Sequence, residues 1–186
     1  MNNAIASISK FIPSCEQEEV DKRLFLKYLT EFPDVLTRDN LLCHFAASAF
    51  VINSAHDKVV AAYHNVYKSW GWLGGHADGD DDFARVARKE IEEESGLRNL
   101  SPLTDGIFSI DSQSVIPHFK NGKFVPAHVH LTVTYVFVAS EKDALRIAED
   151  ENSDIAWFGF DELIEKSTEE HMKPVYKKII AKIKGL

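Results

Sequence analysis

The segment GGHADGDDDFARVARKEIEEESGL (Gly74–Leu97) decides the fold of this chain. It begins with two glycines and a run of aspartates, and it continues as a helix-forming stretch that ends in three consecutive glutamates. Asp82 can cap such a helix, and Gly96 stands where helices commonly stop. We therefore expect a helix over about residues 82–95.

Three of the acids on this helix share one face. Glu90, Glu93 and Glu94 are spaced at i, i+3 and i+4, so their carboxylates converge while Glu92 points elsewhere. Each like-charged pair costs about 0.2–0.5 kcal/mol, and the negative end of the helix dipole adds about 0.3–1 kcal/mol per acid. A solvated helix with ion pairs is the plainer interpretation, but its i, i+4 pairs run base-to-acid, the weaker orientation. A hard divalent cation, which prefers oxygen ligands, would instead turn this repulsion into a binding site.

The spacing around these acids resembles the Nudix hydrolase box. That box consists of a glycine, five residues, a glutamate, seven residues, and then Arg-Glu-aliphatic-x-Glu-Glu-x-Gly-aliphatic. Gly75 stands at its first position, and KEIEEESGL (89–97) stands at its last nine with the full spacing kept. Two positions depart from the pattern, because Asp81 replaces the glutamate and Lys89 replaces the arginine.

The resemblance implies an α/β protein: a Nudix-like α/β/α sandwich with a mixed β-sheet over residues 41–186, preceded by a helical N-terminal extension over residues 1–40. It also implies a metal-dependent hydrolase. The expected reaction is attack of water at phosphorus on the diphosphate linkage of a nucleoside diphosphate linked to another moiety, or of a related small diphosphate metabolite. The alternative, suggested by Asp81 and Lys89, is a catalytically weak regulatory module of the same fold that binds a nucleotide ligand.

The resemblance also carries over roles by position. The residues it makes catalytic, and ligands of Mg²⁺ or Mn²⁺, are Glu90, Glu93 and Glu94. The backbone carbonyl near Gly75 would complete the coordination, while Asp81 and Lys89 would orient the catalytic glutamates. A carboxylate from a later loop often joins such a site. The candidates in this chain are Glu149, Asp150, Glu151 and Asp154.

Histidines and a tryptophan surround the motif in sequence. His76 follows the glycine pair, and His128 and His130 share one face of a predicted strand. Imidazoles suit zinc, but no Cys or His cluster has metal-ligand spacing in the sequence, and the acidic face favours harder ions. We therefore expect His76, His130 and Trp72 to contact the substrate, as polar and aromatic groups in a ligand cleft do.

Periodicity predicts the remaining elements. The expected strands or extended segments are 44–53, 58–65, 104–117, 126–139 and 155–158, and the expected further helices are 14–31, 161–166 and 171–184. Ser14 and Gln17 fit a capping box for the first of these helices. The residues predicted to form its apolar stripe are Val20, Leu24, Tyr28 and Leu29.

Composition excludes several classes of function. The chain has 186 residues, with 21 basic and 29 acidic side chains and a net charge of −8, which argues against a broad surface for nucleic acid or anionic membrane. Cys15 and Cys43 do not make a disulfide framework, and no segment predicts a secretory signal or a membrane span. We expect a cytoplasmic protein whose partner is a small diphosphate, and whose N-terminal extension selects substrate or forms a homodimer.

Overall fold

The glycine-rich segment folds as the end of a strand, a loop and a helix in the computed structural model, which describes residues 2–120, 122–148 and 152–186. Strand β4 spans Leu73–His76, and helix α3 spans Phe83–Ser95. The Asp82 carboxylate accepts a hydrogen bond from the backbone N–H of Arg85 over 3.1 Å, as an N-cap does. Gly96 follows the helix with φ of +74°, so the expected cap and stop are both confirmed.

Four further helices and nine further strands lie in the described residues. The helices are α1 (Asn2–Lys10), α2 (Glu16–Glu31), α4 (Phe160–Lys166) and α5 (Lys173–Lys184). The strands are β1 (Cys43–Asn53), β2 (Lys58–His64), β3 (Ser69–Gly71), β5 (Ser101–Pro102), β6 (Ser109–Val115), β7 (His118–Lys120), β8 (Lys123–Val125), β9 (His128–Ala139) and β10 (Asn152–Gly159). The predicted strands 44–53, 58–65, 126–139 and 155–158 and the helices 14–31, 161–166 and 171–184 are thus confirmed to within three residues at each end, whereas the extended segment predicted over 104–117 contains the shorter strand β6. The short strands were not predicted, because two to four residues carry too little periodicity.

Strand pairing in the described residues gives one eight-stranded sheet and a separate hairpin. The sheet runs in the order β10-β2-β1-β9-β5, with β3 beside β2, β4 beside β1 and β6 beside β9. Antiparallel register pairs Ile110 with Val133 between β6 and β9, and Trp157 with Val60 between β10 and β2. Strands β7 and β8 pair only with each other. Within the same residues, no helix is both long and apolar enough to cross a bilayer.

The chain divides into two compact units, each made of separate stretches of sequence. Unit 1 comprises Met1–Ser48, Gly74–Ala87 and Gly106–Tyr135, and unit 2 comprises Ala49–Leu73, Arg88–Asp105 and Val136–Leu186. In unit 1, the ring of Phe45 meets Phe25 edge-on at 5.3 Å and stacks on Phe83 at 5.1 Å between ring centroids. In unit 2, Tyr176 is 1% exposed and lies 5.5 Å from the ring of Trp72.

The N-terminal helices differ from the sequence-based expectation. Helix α1 was not predicted, and α2 begins at Glu16 with Cys15 as its N-cap. The predicted capping box is wrong: the backbone N–H and hydroxyl of Ser14 both donate to the Glu18 carboxylate, each over 2.8 Å. Gln17 instead donates to Asp21. The carboxylate of Glu18, one residue after the predicted Gln17, therefore accepts the hydrogen bonds of Ser14 at the start of the helix.

The buried face of α2 is more polar than its sequence indicates. The predicted stripe is wrong at Val20, which is 48% exposed, while Phe25 and Leu29 are buried. Glu18 and Asp21 are buried with them, because β6 supplies hydroxyl donors. The hydroxyls of Ser109 and Ser112 donate to these two carboxylates over 3.0 and 2.8 Å. Hydrogen bonding to β6 thus offsets the cost of burying two acids.

Candidate active site

The three glutamates of α3 lie at graded depths. The side chain of Glu90 is 13% exposed and that of Glu93 is 55% exposed, whereas Glu94 is 2% exposed. Ala87 and Ile91 of the same helix are fully buried. The helix therefore carries one carboxylate in the interior, one at its margin and one in solvent.

Glu94 is held by a residue that the sequence analysis did not single out. The side-chain amide of Asn152, at the start of β10, donates to the Glu94 carboxylate over 3.0 Å. Asn152 is 1% exposed, and its backbone N–H donates to the carbonyl of Ala148 over 2.8 Å. Its side-chain oxygen is buried and, within the described part of the chain, accepts no hydrogen bond. A buried acceptor beside a buried carboxylate is an environment that favours a cation or an ordered water.

Lys89 lies between two of the glutamates. Its ammonium is 3.2 Å from the Glu93 carboxylate and 3.9 Å from that of Glu90. Glu92 points away from them and pairs with Arg98 at 2.7 Å. Lys89 and Glu93 thus form an i, i+4 ion pair, which places one positive charge beside the predicted metal ligands.

The residues of this helix fit a hard divalent cation. Carboxylate oxygens are the ligands that magnesium and manganese prefer, and magnesium commonly keeps several waters with only one or two carboxylates. In the described residues, Glu90, Glu93 and Glu94 do not each bring a carboxylate oxygen to within 4.8 Å of the other two. The side chain of Glu93 is exposed and can change its rotamer. A cation that binds first to Glu94 can therefore be joined by Glu93 afterwards, so the carboxylates need not converge before the cation binds.

Of the four candidates for an acid from a later loop, the structure describes Asp154. Asp154 is exposed, and its carboxylate accepts a hydrogen bond from the backbone N–H of Ile155 over 2.8 Å. Glu149, Asp150 and Glu151 lie outside the described residues. The segment AEDENSD (148–154) does supply a polar partner to α3, but the partner is the amide of Asn152.

Two other predicted site residues lie in unit 1. Gly75 belongs to β4 and is partly exposed. The Asp81 carboxylate accepts hydrogen bonds from the backbone N–H and side-chain amide of Asn3, over 3.2 and 3.1 Å. Helix α1 therefore contributes a partner for the residue that replaces the glutamate of the box.

Four histidines of unit 1 meet at the ends of three strands. They are His44 of β1, His76 of β4, and His128 and His130 of β9. The Nε2 atom of His130 lies 3.2 Å from that of His76 and 3.0 Å from that of His128. Burial, with these neighbouring imidazoles, lowers the pKa of His130 to about 2. The pKa of His44 is lowered as well, chiefly because the ring is buried. At neutral pH the ring of His130 is therefore a neutral imidazole.

His76 and His130 were both predicted from the sequence to contact the substrate, whereas His44 was not predicted as a site residue. In the sequence, the one feature that distinguishes His44 is its position at the start of a predicted strand. His128 and His130 alternate along a different predicted strand. Pairing of β1 with β9 and with β4 brings these positions together. His44 and His76 are 32 residues apart, and His76 and His130 are 54 residues apart, so a motif of fixed spacing does not predict the cluster.

Trp72 is placed in unit 2, where it is 8% exposed. Its indole packs edge-on against Tyr176, and its backbone carbonyl lies 2.9 Å from Nε2 of His64. The Tyr176 hydroxyl is fully buried, and burial raises its pKa well above the usual range. Trp72 thus contributes to the packing of this unit.

Comparison with known proteins identifies the family. The model of the NUDIX domain matches residues 43–181, which is most of the chain. The chain belongs to the Nudix family. It is a Nudix-type pyrophosphohydrolase, as the box at Gly75–Leu97 implied. No curated protein matches the chain significantly in sequence.

Solved Nudix structures share its fold. A C. elegans Ap4A hydrolase binary complex matches with a TM-score of 0.55 at 15% identity, over 76% of this chain and 99% of that one. The E. coli dihydroneopterin triphosphate pyrophosphohydrolase matches with a TM-score of 0.55 at 8% identity, over 74% and 94%. A NUDIX-family hydrolase from Clostridium perfringens matches with a TM-score of 0.51 at 16% identity, over 74% and 96%. The expected α/β/α sandwich with a mixed sheet and N-terminal helices is confirmed.

Proposed function

We propose that this Nudix protein hydrolyses the diphosphate linkage of a nucleoside diphosphate linked to another moiety, or of a related small diphosphate metabolite, with Mg²⁺ or Mn²⁺ as cofactor. The observation that carries the proposal is the graded burial of the three glutamates, with Glu94 held by Asn152. A solvated surface helix would leave all three acids in water, and it would not need a buried amide to hold one of them.

Each glutamate has a distinct proposed part. Glu94 is the fixed carboxylate, because its burial and the Asn152 hydrogen bond restrict its rotamers. Glu93 is exposed and can turn toward a ligand arriving from solvent. Glu90, at the margin, is proposed to accept the proton of the attacking water on a carboxylate oxygen, as the family resemblance suggests.

The same three carboxylates would hold the divalent cation. When bound, this ion polarises the diphosphate and lowers the pKa of the attacking water. The protein contributes the fixed oxygen ligand at Glu94 and the neighbouring amide that orients it, an arrangement that commonly tunes a metal ligand.

The other positional assignments stand as proposals. The carbonyl at Gly75 is proposed as a further ligand, and Asp81 and Lys89 as residues that orient the glutamates. His76, His130 and Trp72 are proposed to contact the substrate. For the partly exposed His76 and His130, the assignment predicts that a single substitution changes kcat or KM without unfolding the protein.

A substrate panel tests the proposed function. The panel combines nucleotide sugars, ADP-ribose, nucleoside triphosphates, diadenosine tetraphosphate and dihydroneopterin triphosphate, with Mg²⁺ or Mn²⁺ and product analysis by chromatography. We expect at least one compound to be cleaved, and we expect Glu93→Gln and Glu94→Gln to lose most of that activity. Glu92→Gln is the matched control. The carboxylate of Glu92 pairs with Arg98, so we expect this variant to leave the rate unchanged.

The regulatory-module alternative gives a different pattern. It predicts that a nucleotide sugar or ADP-ribose binds in calorimetry while no compound of the panel is turned over. Equal inactivity of the wild type and the glutamine variants, without binding, would contradict both.

We also propose a cytoplasmic location and leave homodimer formation through the N-terminal extension as a proposal. Cys15 is exposed and Cys43 is buried, and both are free thiols, the state that a reducing compartment maintains. Light scattering of the purified chain measures its mass in solution. A mass of one chain at all concentrations would rule the dimer out.

A further inference from the structure

The histidine cluster of unit 1 has the geometry of a metal site that the glutamates do not explain. One ring nitrogen from each of His44, His76 and His130 lies within 4.8 Å of the other two. Ring centroids of His44 lie 5.0 Å from His76, 5.0 Å from His130 and 4.8 Å from His128. Three strands therefore direct four imidazoles to one point.

The hydrogen bonds of two rings fix where their protons are. Nδ1 of His44 lies 3.1 Å from the backbone carbonyl of Asn40, and Nδ1 of His128 lies 2.8 Å from that of Pro126. A carbonyl oxygen only accepts, so each Nδ1 carries a hydrogen, and a ring with that single hydrogen presents a lone pair at Nε2. Nε2 of His44 is buried and, in the described part of the chain, has no hydrogen-bond partner.

Protons alone do not satisfy the cluster. Because Nε2 of His128 is bare, it bonds to His130 only if Nε2 of His130 carries a hydrogen. Nε2 of His130 then has no further hydrogen to offer the buried Nε2 of His44, which has no hydrogen-bond partner among the described residues. The cluster has more lone pairs than one shared proton can accept. A single cation can accept several of them at once.

The spacing suits a tetrahedral metal. Two nitrogens bound at 2.0–2.1 Å in tetrahedral geometry are about 3.3 Å apart. The observed Nε2 separations of 3.2 and 3.0 Å are close to this value. Metal-bound histidines almost always donate their other ring N–H to a carbonyl or carboxylate, as His44 and His128 do here.

We propose that His44, His76 and His130 bind a zinc ion, with His128 or a water as the fourth ligand. Imidazole nitrogens suit zinc and related transition metals, whereas magnesium prefers oxygen. His44 and His128 are nearly buried while His76 and His130 are partly exposed, so the ion can enter from the side of these two. The site does not rest on the proposed hydrolase function, and it competes with direct substrate contact by His76 and His130.

Metal titration tests this site. The full chain, without a polyhistidine tag and stripped by chelator dialysis, is titrated with Zn²⁺ by calorimetry and with Co²⁺ by visible absorption. We expect one equivalent of Zn²⁺ to bind in the presence of excess Mg²⁺, and Co²⁺ to give the intense visible bands of tetrahedral coordination. His44→Ala and His130→Ala should each weaken Zn²⁺ binding by at least about ten-fold. Circular dichroism checks that these variants are folded, and His44→Asn and His130→Gln replace them if they are not.

Two controls separate this proposal from the proposed function. His171→Ala removes an exposed histidine of unit 2 and should leave Zn²⁺ binding unchanged. Glu94→Gln should also keep it, even though that variant is expected to lose hydrolysis. The absence of saturable Zn²⁺ binding, or equal affinity in the wild type and the folded His44 and His130 variants, would overturn the zinc site. So would loss of Zn²⁺ binding in Glu94→Gln alone, since that result would place the ion at the carboxylates.

Discussion

The side-chain amide of Asn152 donates a hydrogen bond over 3.0 Å to the buried carboxylate of Glu94. Helix α3 provides the acid, and the first residue of β10 provides the donor. Both residues are almost fully buried, so the hydrogen bond is shielded from water and fixes the orientation of the carboxylate. A proposed metal ligand is thus positioned by an amide that carries no charge.

Asn152→Ala should weaken the proposed hydrolase without unfolding it. Loss of a hydrogen bond that orients a ligand commonly costs about 10–100-fold in metal affinity or activity. We expect the Mg²⁺ concentration for half-maximal rate to rise by that order, measured with the best compound of the panel. Asn99→Ala, on an exposed residue, is the control. An unchanged Mg²⁺ dependence would show that Glu94 does not need this donor.

Lys89→Met should strengthen Mg²⁺ binding. The ammonium of Lys89 lies 3.2 Å from Glu93 and repels an arriving cation. The pair is largely exposed, so its removal is worth at most about 1 kcal/mol, or a few-fold in affinity. Calorimetry measures the affinity, and kcat reports separately on the proposed orienting role. Lys142→Met serves as the exposed control. Weaker Mg²⁺ binding in Lys89→Met would mean that the lysine supports the ligands.

Gly74→Ala should destabilise the protein strongly. Gly74 has φ of +153°, and a Cβ at this position would lie 2.7 Å from the carbonyl oxygen of Ala47 and 2.7 Å from Cα of Ser48. Backbone atoms cannot yield as side chains do, so we expect a loss of about 2 kcal/mol or more in urea unfolding. Gly159→Ala is the matched control, because among the described residues no atom beyond its two chain neighbours lies within 4 Å of a Cβ built there. Equal stability of the two variants would contradict the close approach of β4 to β1.

Phe25→Ala should show that α2 belongs to the core of unit 1. Phe25 is fully buried, with its ring edge-on to Phe45. Truncation of a buried phenylalanine costs about 3–5 kcal/mol. Val20→Ala, on an exposed position of the same helix, should change the free energy of unfolding by less than about 0.5 kcal/mol. A small effect of Phe25→Ala would mean that the N-terminal helices are dispensable for stability.

The metal-free protein should lose stability as the pH falls below about 6.5. The pKa of His130 is about 2 in the folded state, so the unfolded chain binds a proton in this range and the native state does not. Unfolding then becomes easier by about 1.4 kcal/mol per pH unit. After burial, the charged groups that lower the pKa of His130 are the rings of His76, His44, His128 and His118, in that order. His130→Gln should flatten the dependence of the urea midpoint between pH 6.5 and 5, whereas His171→Ala should not.

Local pattern predicted much of the fold. Alternation over 126–139 predicted β9, because a strand that packs on both sides still shows its apolar residues at every second position. The Asp82 cap and the Gly96 stop predicted α3 to within one residue. The same reasoning predicted α2 to within two residues but not the polar side chains on its buried face, since the partners of Glu18 and Asp21 are serines of β6, far along the chain.

By itself, the sequence determined the family, the position of the acidic helix and the three glutamates that α3 presents, because caps, periodicity and the spacing of the Nudix box act within about 25 residues. Only the tertiary structure decided which glutamate is buried, that Asn152 holds it, and that His44 joins His76 and His130. These relationships depend on strand pairing and packing between distant segments. The free energy of burying a polar group depends on partners that no local pattern encodes.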